Sequence, residues 1–284
     1  MLFRFVAGNN YKHALNIGKN MIRYGNTPII NYINENVDID NKYKVVEEYK
    51  NLLKYIDSSY MLALKLSSLN FNRFQAYTIA DICKEKNIKL IIDAEDNINI
   101  EKYRNIVNCM IKKYNNNNIN IIKTYQMYRK DSMDELNDDI KEFTNTNIIL
   151  ATKLVRGAYY NSEYKDGHLF NNKKLTDTNY NNGLFTCFNN NIKYNILATH
   201  NIESIKMAIQ LYKKNKYNKN NLNNNILTIA NLMGMNEKNI NKYNTQSSII
   251  NKATYIPYGP YNTMLPYLTR RLYENIDQIK YALT

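Results

Sequence analysis

Eight short apolar runs, each rich in residues that favour β-strands, alternate with longer helical segments along this chain. The runs span residues 28–33, 61–66, 89–94, 119–125, 147–155, 195–199, 225–232 and 253–258. Their spacing of about 30 residues matches one strand followed by one return helix. Eight such units in 284 residues predict an α/β fold, a closed (β/α)8 barrel that forms a single domain over residues 1–284.

Helices are predicted between the runs, for example at residues 71–86, 98–114, 132–143 and 203–214. Ser132 is a candidate N-cap, because Glu135 follows it at the capping-box spacing. Asn201 offers similar capping chemistry two residues before Glu203. The main alternative fold is an open doubly wound sheet, which usually carries a glycine-rich first turn. The glycines of this chain form neither a GxGxxG nor a Walker motif, so a Rossmann or P-loop nucleotide site is disfavoured.

Charge and cysteine content constrain the setting of the protein. The chain has 38 Lys and Arg against 25 Asp and Glu, a formal charge of +13 that suits nucleic acid, an acidic membrane surface or an anionic ligand. No basic arm is present, so a nucleic-acid partner is not expected. Three separated cysteines without a CxxC motif favour a reducing compartment, and three histidines argue against a zinc site.

Membrane and targeting signals are not found in the sequence. No run of 18 apolar residues exists, and the N-terminal residues fit neither a signal peptide nor a transit peptide. We therefore expect a cytoplasmic protein, or one peripheral to a membrane that faces a reducing compartment.

Polar residues recur near the C-terminal ends of the predicted strands, which meet at the ligand-binding end of a barrel. They include Lys65, Asp93, Lys123, Lys153, Arg156, Thr199, His200, Asn231 and Tyr255. Each residue taken alone also has a purely structural explanation. The Lys65 side chain could extend from a strand edge to solvent, and His200 could be a strand-end histidine whose ring nitrogens are hydrogen-bonded within the protein. Together they favour a site, because each unpaired buried polar group costs about 1–3 kcal/mol. Lys65 and Asp93, on neighbouring strands, would form a compensated pair.

Near the C-terminus, Arg270 and Arg271 are adjacent and Glu274 follows within one helical turn. The three side chains would share a helix face. Two planar guanidinium groups suit a small carboxylate ligand. Taken alone, the segment is better explained as a solvated basic helix end than as a ligand site.

Several blocks of the chain resemble the proline dehydrogenase family, also called proline oxidase. They are Phe5-Val-Ala-Gly8, Lys65-Leu-Ser, Asp93-Ala-Glu, Thr124-Tyr-Gln, Lys153-Leu-Val-Arg-Gly-Ala-Tyr159, Ala198-Thr-His200, Leu232-Met-Gly, Tyr255-Ile-Pro-Tyr-Gly-Pro and Tyr267-Leu-Thr-Arg-Arg-Leu-Tyr-Glu274. Their order and spacing cover nearly the whole chain. The resemblance implies a distorted (β/α)8 TIM-type barrel whose final helix lies over the C-terminal mouth.

The resemblance also implies positions that surround L-proline, the expected substrate. The implied substrate-binding residues are Lys65, Tyr159, Leu232, Tyr255, Arg270, Arg271 and Glu274. Arg270 and Arg271 would hold the proline carboxylate, with Glu274 and Lys65 as supporting ion-pair partners. Tyr255 would pack on the pyrrolidine ring.

The implied cofactor is FAD. The implied cofactor-binding residues are Lys123, Lys153, Arg156, Gly157, Ala158, Thr199 and His200. Asp93 and Lys153 match positions that are treated as catalytic in the family, with Lys153 near flavin N5. Lys123 is a departure from the family pattern, because it stands where bacterial members often carry a flavin-contacting glutamine.

The implied activity is FAD-dependent oxidation of L-proline to 1-pyrroline-5-carboxylate, the first step of proline catabolism, with hydride transfer from C5 to flavin N5. Electrons would pass to a quinone or other acceptor, and the basic charge is compatible with a peripheral membrane contact. Two alternatives remain: a flavin-binding barrel without turnover, with a regulatory role, and a basic protein that binds nucleic acid or a membrane surface.

Overall fold

A computed structural model describes residues 4–34, 42–217, 225–235 and 250–274 of the protein. Parallel strands close into one barrel in chain order. They are β1 Asn26–Tyr32, β2 Met61–Lys65, β3 Lys89–Asp93, β4 Ile121–Gln126, β5 Ala151–Val155, β6 Tyr194–Ala198, β7 Ile226–Leu232 and β8 Asn251–Tyr258. β1 pairs with β8 from Asn26↔Lys252 to Tyr32↔Tyr258, which closes the barrel. The predicted closed barrel is confirmed over the open sheet.

Helices surround the strands. The described helices are α1 Tyr11–Arg23, α2 Lys42–Leu53, α3 Arg73–Glu85, α4 Ile100–Tyr114, α5 Ser132–Thr144, α6 Tyr160–Glu163, α7 Lys173–Asn189, α8 Ile202–Tyr217 and α9 Tyr261–Glu274. One large apolar cluster fills the space between strands and helices. Within the described ranges, no helix combines the length and the apolar character that crossing a bilayer requires.

A second, smaller apolar cluster fills the barrel interior and shows which strand residues face inward. It includes Ala63 of β2, Ile91 of β3 and Ala151 of β5. Because successive side chains of a strand point to opposite faces, the residues two positions further along share the inward face. Those residues are Lys65, Asp93 and Lys153. They stand at the C-terminal ends of their strands, which we call the mouth of the barrel.

Two local predictions differ from the structure. Ser132 is the first residue of α5 and not its N-cap; its hydroxyl donates to the carbonyl oxygen of Arg129 (2.7 Å). The strand predicted from residue 147 begins at Ala151 instead, because Ile148 forms an antiparallel bridge with Asn116. The predicted cap at Asn201 is confirmed: its side-chain oxygen accepts the backbone N–H of Ser204 (3.1 Å).

The last helix, α9, packs at the mouth end of the barrel. A separate apolar cluster joins Val6 and Ile33 to Met264, Tyr267 and Leu268 of this helix. Because Ile33 directly follows β1, this cluster lies at the C-terminal ends of the strands. The final helix therefore lies where the family resemblance predicted it.

Candidate functional site at the barrel mouth

Asp93 is the centre of a group of contacts at the mouth. Its Oδ1 lies 2.6 Å from Nζ of Lys153, and its Oδ2 accepts a hydrogen bond from the Tyr255 hydroxyl. The Lys153 ammonium also lies 5.1 Å from the centroid of the Tyr255 ring. Burial, followed by the charge of Asp93, raises the pKa of Tyr255 well above its ordinary value, so the phenol stays a neutral hydrogen-bond donor. Strands β3, β5 and β8 thus bring a carboxylate, an ammonium and a phenol into contact.

Lys65 and Tyr159 form a second contact beside this group. Lys65 Nζ donates to the Tyr159 hydroxyl (2.8 Å) and lies 5.2 Å from the centroid of its ring. Lys65 and Asp93 are register partners on β2 and β3, as predicted. However, the ion pair of Asp93 is formed with Lys153, where the sequence suggested Lys65. Leu232 ends β7 as the register partner of Tyr255.

Glu95 is a buried carboxylate at the mouth to which sequence reasoning gave no role. It is 3% exposed, and its Oε1 accepts the backbone N–H of Ser67 (2.8 Å). Its carbonyl oxygen accepts the side-chain amide of Gln126 (2.8 Å). Burial raises the pKa of Glu95 to about 7, although Lys65 and the Ser67 hydrogen bonds act in the opposite direction.

Replacing Glu95 by glutamine is expected to stabilise the protein at alkaline pH. The pKa of the folded carboxyl is raised to about 7 from an ordinary 4.5. The wild type therefore loses stability as pH rises between these values, whereas the glutamine variant does not. The variant's advantage should be near zero at pH 4 and about 3 kcal/mol above pH 7. Urea unfolding across this pH range measures it, and equal stabilities at pH 8 would contradict the prediction.

Arg156, which follows β5, connects several elements beside the mouth. Its Nε lies 2.6 Å from Oδ1 of Asp177 in α7, and its Nη1 donates to Thr199 Oγ1 (2.5 Å) after β6. Its Nη2 donates to Ser204 Oγ (3.1 Å) in α8, and its guanidinium carbon lies 4.4 Å from the Tyr180 ring centroid. The structure thus brings together two predicted cofactor-binding residues, Arg156 and Thr199.

Two buried polar atoms near this region have no hydrogen-bond partner within the part of the chain that the structure describes. They are Nδ1 of His200 and Oγ1 of Thr124. Burial first, and then Arg156, lowers the pKa of His200 to about 4, so its imidazole is neutral at neutral pH. Thr124 lies two residues after Ile122 of the interior cluster and so faces inward. Buried polar atoms of this kind usually have a partner, and a ligand is one candidate.

Gly157 and Ala158 lie in the loop after β5, and Gly157 is tightly packed. Its φ is +144°, a conformation that favours glycine, and a Cβ at this position would overlap the Tyr128 ring. The Tyr128 hydroxyl in turn donates to Glu163 Oε2 (2.6 Å) in α6. The ring beneath Gly157 therefore has little freedom to move away.

Substituting Gly157 by alanine is expected to lower the free energy of unfolding by about 1–3 kcal/mol, through backbone strain and overlap with Tyr128. Gly167→Ala is the matched control, because Gly167 has a φ of +75° but no atom within 4 Å of the position that an alanine methyl group would take. An alanine at φ +75° meets a milder backbone strain and no overlap, so its loss should be smaller. Urea denaturation compares the two, and an equal loss would remove the packing explanation.

The structure places Lys123 away from the mouth, which corrects its predicted cofactor contact. Its Nζ lies 2.5 Å from Asp139 Oδ2 and 3.0 Å from Glu135 Oε1 in α5, and it donates to Asn108 Oδ1 (2.9 Å) in α4. Strand alternation is the reason: Ile122 faces the interior, so Lys123 faces the helices. The same alternation in the sequence could have identified Thr124 as the inward residue.

The predicted carboxylate clamp cannot be placed. Arg270, Arg271 and Glu274 lie within the bounds of α9, but their side chains are outside the described part of the structure. Their roles remain predictions.

Fold and site together define a (β/α)8-barrel protein with charged and phenolic side chains converging at the C-terminal strand ends, where barrels of this kind bind ligands. A family profile for proline dehydrogenase matches residues 10–280, so the chain belongs to the proline dehydrogenase family.

Individual relatives agree with this assignment. The chain is 31% identical over 208 residues to the mitochondrial proline dehydrogenase 2 of Arabidopsis thaliana, covering 68% of this chain and 42% of the relative. It is 28% identical over 218 residues to the mitochondrial proline dehydrogenase 1 of Caenorhabditis elegans, covering 72% of this chain and 34% of the relative. It thus spans less than half the length of these two relatives.

A solved structure shares the fold. Proline utilization A from Bdellovibrio bacteriovorus, inactivated by N-propargylglycine, superposes with a TM-score of 0.85 at 18% identity. The superposition covers 96% of this chain and 32% of that one. At this identity, the similarity establishes the barrel fold.

Proposed function

We propose that this protein is an FAD-dependent oxidoreductase that oxidises L-proline to 1-pyrroline-5-carboxylate. The observation that carries the proposal is the contact of Asp93 with both Lys153 and Tyr255 at the mouth of a proline dehydrogenase family barrel. In this proposal, residues 1–284 form one catalytic domain.

The mouth offers the chemistry that a cyclic amino acid requires. The aromatic face of Tyr255 and the side chain of Leu232, register partners on β8 and β7, supply apolar surface for a pyrrolidine ring. The Tyr255 hydroxyl is held by Asp93, which fixes the orientation of that ring face. Lys65 provides positive charge at the neighbouring strand end, and Arg270 and Arg271 would add two guanidinium groups for the carboxylate.

The residues present fit an anionic dinucleotide with a flavin ring. Lys153 and Arg156 supply cations, and the unpartnered atoms of Thr124 and His200 could each meet a ligand atom. The residues proposed to hold FAD are Lys153, Arg156, Gly157, Ala158, Thr199 and His200. When bound, FAD would supply the acceptor for the hydride that leaves C5 of proline. The protein's part is to orient the substrate and to keep Lys153 and Asp93 paired beside it.

Electron transfer away from the site requires a second partner. We propose a quinone or another acceptor, reached from the cytoplasm or from a peripheral membrane position. The formal charge of +13 is compatible with contact to acidic lipid.

The visible absorption spectrum of the purified full chain, recorded before and after anaerobic L-proline addition, tests the proposal. We expect a flavin spectrum that bleaches with L-proline and not with D-proline, and 1-pyrroline-5-carboxylate that can be trapped with o-aminobenzaldehyde. A yellow protein that does not bleach would favour the regulatory barrel. A colourless protein that binds DNA in a salt-sensitive manner would favour the basic binder.

A further inference from the structure

We propose that Glu95 is a positioning residue of the proline site, whose carboxylate holds the end of β2 and orients Lys65 towards Tyr159. The inference rests on the proposed function and adds a residue to its site. Three features of the described structure support it: the turn after Lys65, the link to β4, and the charge of Lys65.

The turn after Lys65 is held by two hydrogen bonds that involve side chains. A short 3₁₀ turn, Leu66–Leu69, begins directly after Lys65. Glu95 Oε1 accepts the backbone N–H of Ser67 (2.8 Å), and Ser68 Oγ donates to the carbonyl oxygen of Lys65 (2.6 Å). Glu95 therefore constrains the backbone from which the Lys65 side chain extends.

Glu95 is itself held in place by the next strand. Gln126, the inward-facing last residue of β4, donates its side-chain amide to the Glu95 carbonyl oxygen (2.8 Å). The residue thus joins the C-terminal ends of β2, β3 and β4. With its main chain fixed on one side, its carboxylate is directed to β2 on the other.

The charge of Glu95 acts on Lys65. The attraction of Lys65 opposes the effect of burial on the Glu95 carboxyl, and the same attraction must act on the Lys65 ammonium. That ammonium donates to the Tyr159 hydroxyl (2.8 Å), so the attraction of Glu95 acts on a cation that is already in contact with a phenol. A neutral amide could accept the Ser67 N–H equally well. Burying a carboxylate costs desolvation free energy that a neutral amide would not incur. We therefore attribute the charge of Glu95 to the orientation of Lys65.

The test compares Glu95→Gln, Glu95→Asp and Ser68→Ala with the wild type, using KM and kcat for L-proline from pH 5.5 to 9. For Glu95→Gln we expect KM to rise about tenfold at pH 8, with kcat and flavin content changing much less. Ser68→Ala removes a hydrogen bond of the same turn but keeps the charge, so its KM should rise less. Glu95→Asp restores a carboxylate and should recover part of the loss.

The pH profile separates positioning from a structural role. Wild-type KM should increase as pH falls below about 7, because Glu95 becomes protonated, whereas KM of Glu95→Gln should be flat there. Among the described residues, Lys65 on β2 and Asp96 on the same loop are charged groups that act on Glu95. A wild-type KM in Glu95→Gln, or a loss of flavin and fold in that variant, would overturn the inference. A wild-type chain that does not oxidise proline would overturn the proposed function and this inference together.

Discussion

Replacing Lys123 by alanine is expected to lower the free energy of unfolding by about 3–5 kcal/mol, because the substitution takes the cation away from the buried carboxylate of Asp139 and leaves Glu135 paired with Arg104 alone. The Lys123 side chain is 1% exposed and forms ion pairs with Asp139 and Glu135. The Tyr125 hydroxyl donates to the same Asp139 oxygen (2.7 Å), so this carboxylate cannot turn to solvent without losing a second contact. Equilibrium unfolding in urea at neutral pH measures the loss.

Lys141→Ala provides the matched control. Lys141 also pairs with a carboxylate, Asp138, but its side chain is 77% exposed. Exposed pairs contribute about 0–1 kcal/mol, so this variant should be close to the wild type. The triple variant Lys123→Met, Glu135→Gln and Asp139→Asn removes all three charges and should recover much of the loss. A loss below about 1 kcal/mol for Lys123→Ala would show that the carboxylates become protonated or hydrated at little cost.

Removing either guanidinium of the proposed clamp should have the largest effect on substrate binding. Arg270→Ala and Arg271→Ala are each expected to cost about 2–5 kcal/mol, which is a rise in KM for L-proline of about 30-fold to several thousandfold. The physical reason is that the substrate carboxylate would enter the mouth without a fixed, charged donor pair. Steady-state kinetics with L-proline, together with the flavin content of each variant, measures the effect.

Arg23→Ala serves as the control for the loss of one positive charge. Arg23 is an exposed residue in the last turn of α1, and its replacement should leave KM unchanged. Lysine at position 270 or 271 should recover only part of the affinity, because an ammonium lacks the planar fork of donors. Wild-type KM in both alanine variants would mean that another part of the chain binds the carboxylate.

The barrel could be predicted from the sequence because the strand–helix unit repeats at a long and regular spacing. Each strand–helix unit repeats the same pattern, and closure between β1 and β8 follows from having eight units. The mouth was predictable for the same reason: the C-terminal ends of parallel strands lie together. Asp93, Lys153 and Tyr255, on three separate strands, were all expected there and are in contact.

Lys123 shows where this reasoning fails. Its strand was predicted correctly, but the direction of its side chain was not. A shift of one residue along a strand decides whether a side chain faces the barrel interior or the surrounding helices. Glu95 was missed for a different reason. Its role depends on a contact with Ser67 in the turn that follows β2. The sequence around Glu95 does not indicate which residue of another strand it contacts. Ser132 and Asp131 are both good capping residues, so their order alone could not decide the helix start.

The contacts between the segment that precedes α1 and the segment formed by β8 and α9 have a consequence for folding. The backbone N–H of Ala7 donates to the carbonyl oxygen of Pro257 (2.8 Å), and Val6 packs with Met264 and Leu268. These contacts join residues about 250 positions apart in the sequence, and closing a loop of that length costs chain entropy and is slow. The helix that carries Arg270 and Arg271 can therefore dock only after the residues from Val6 to Leu268 have been synthesised, so the proposed clamp would form only once this closure is complete.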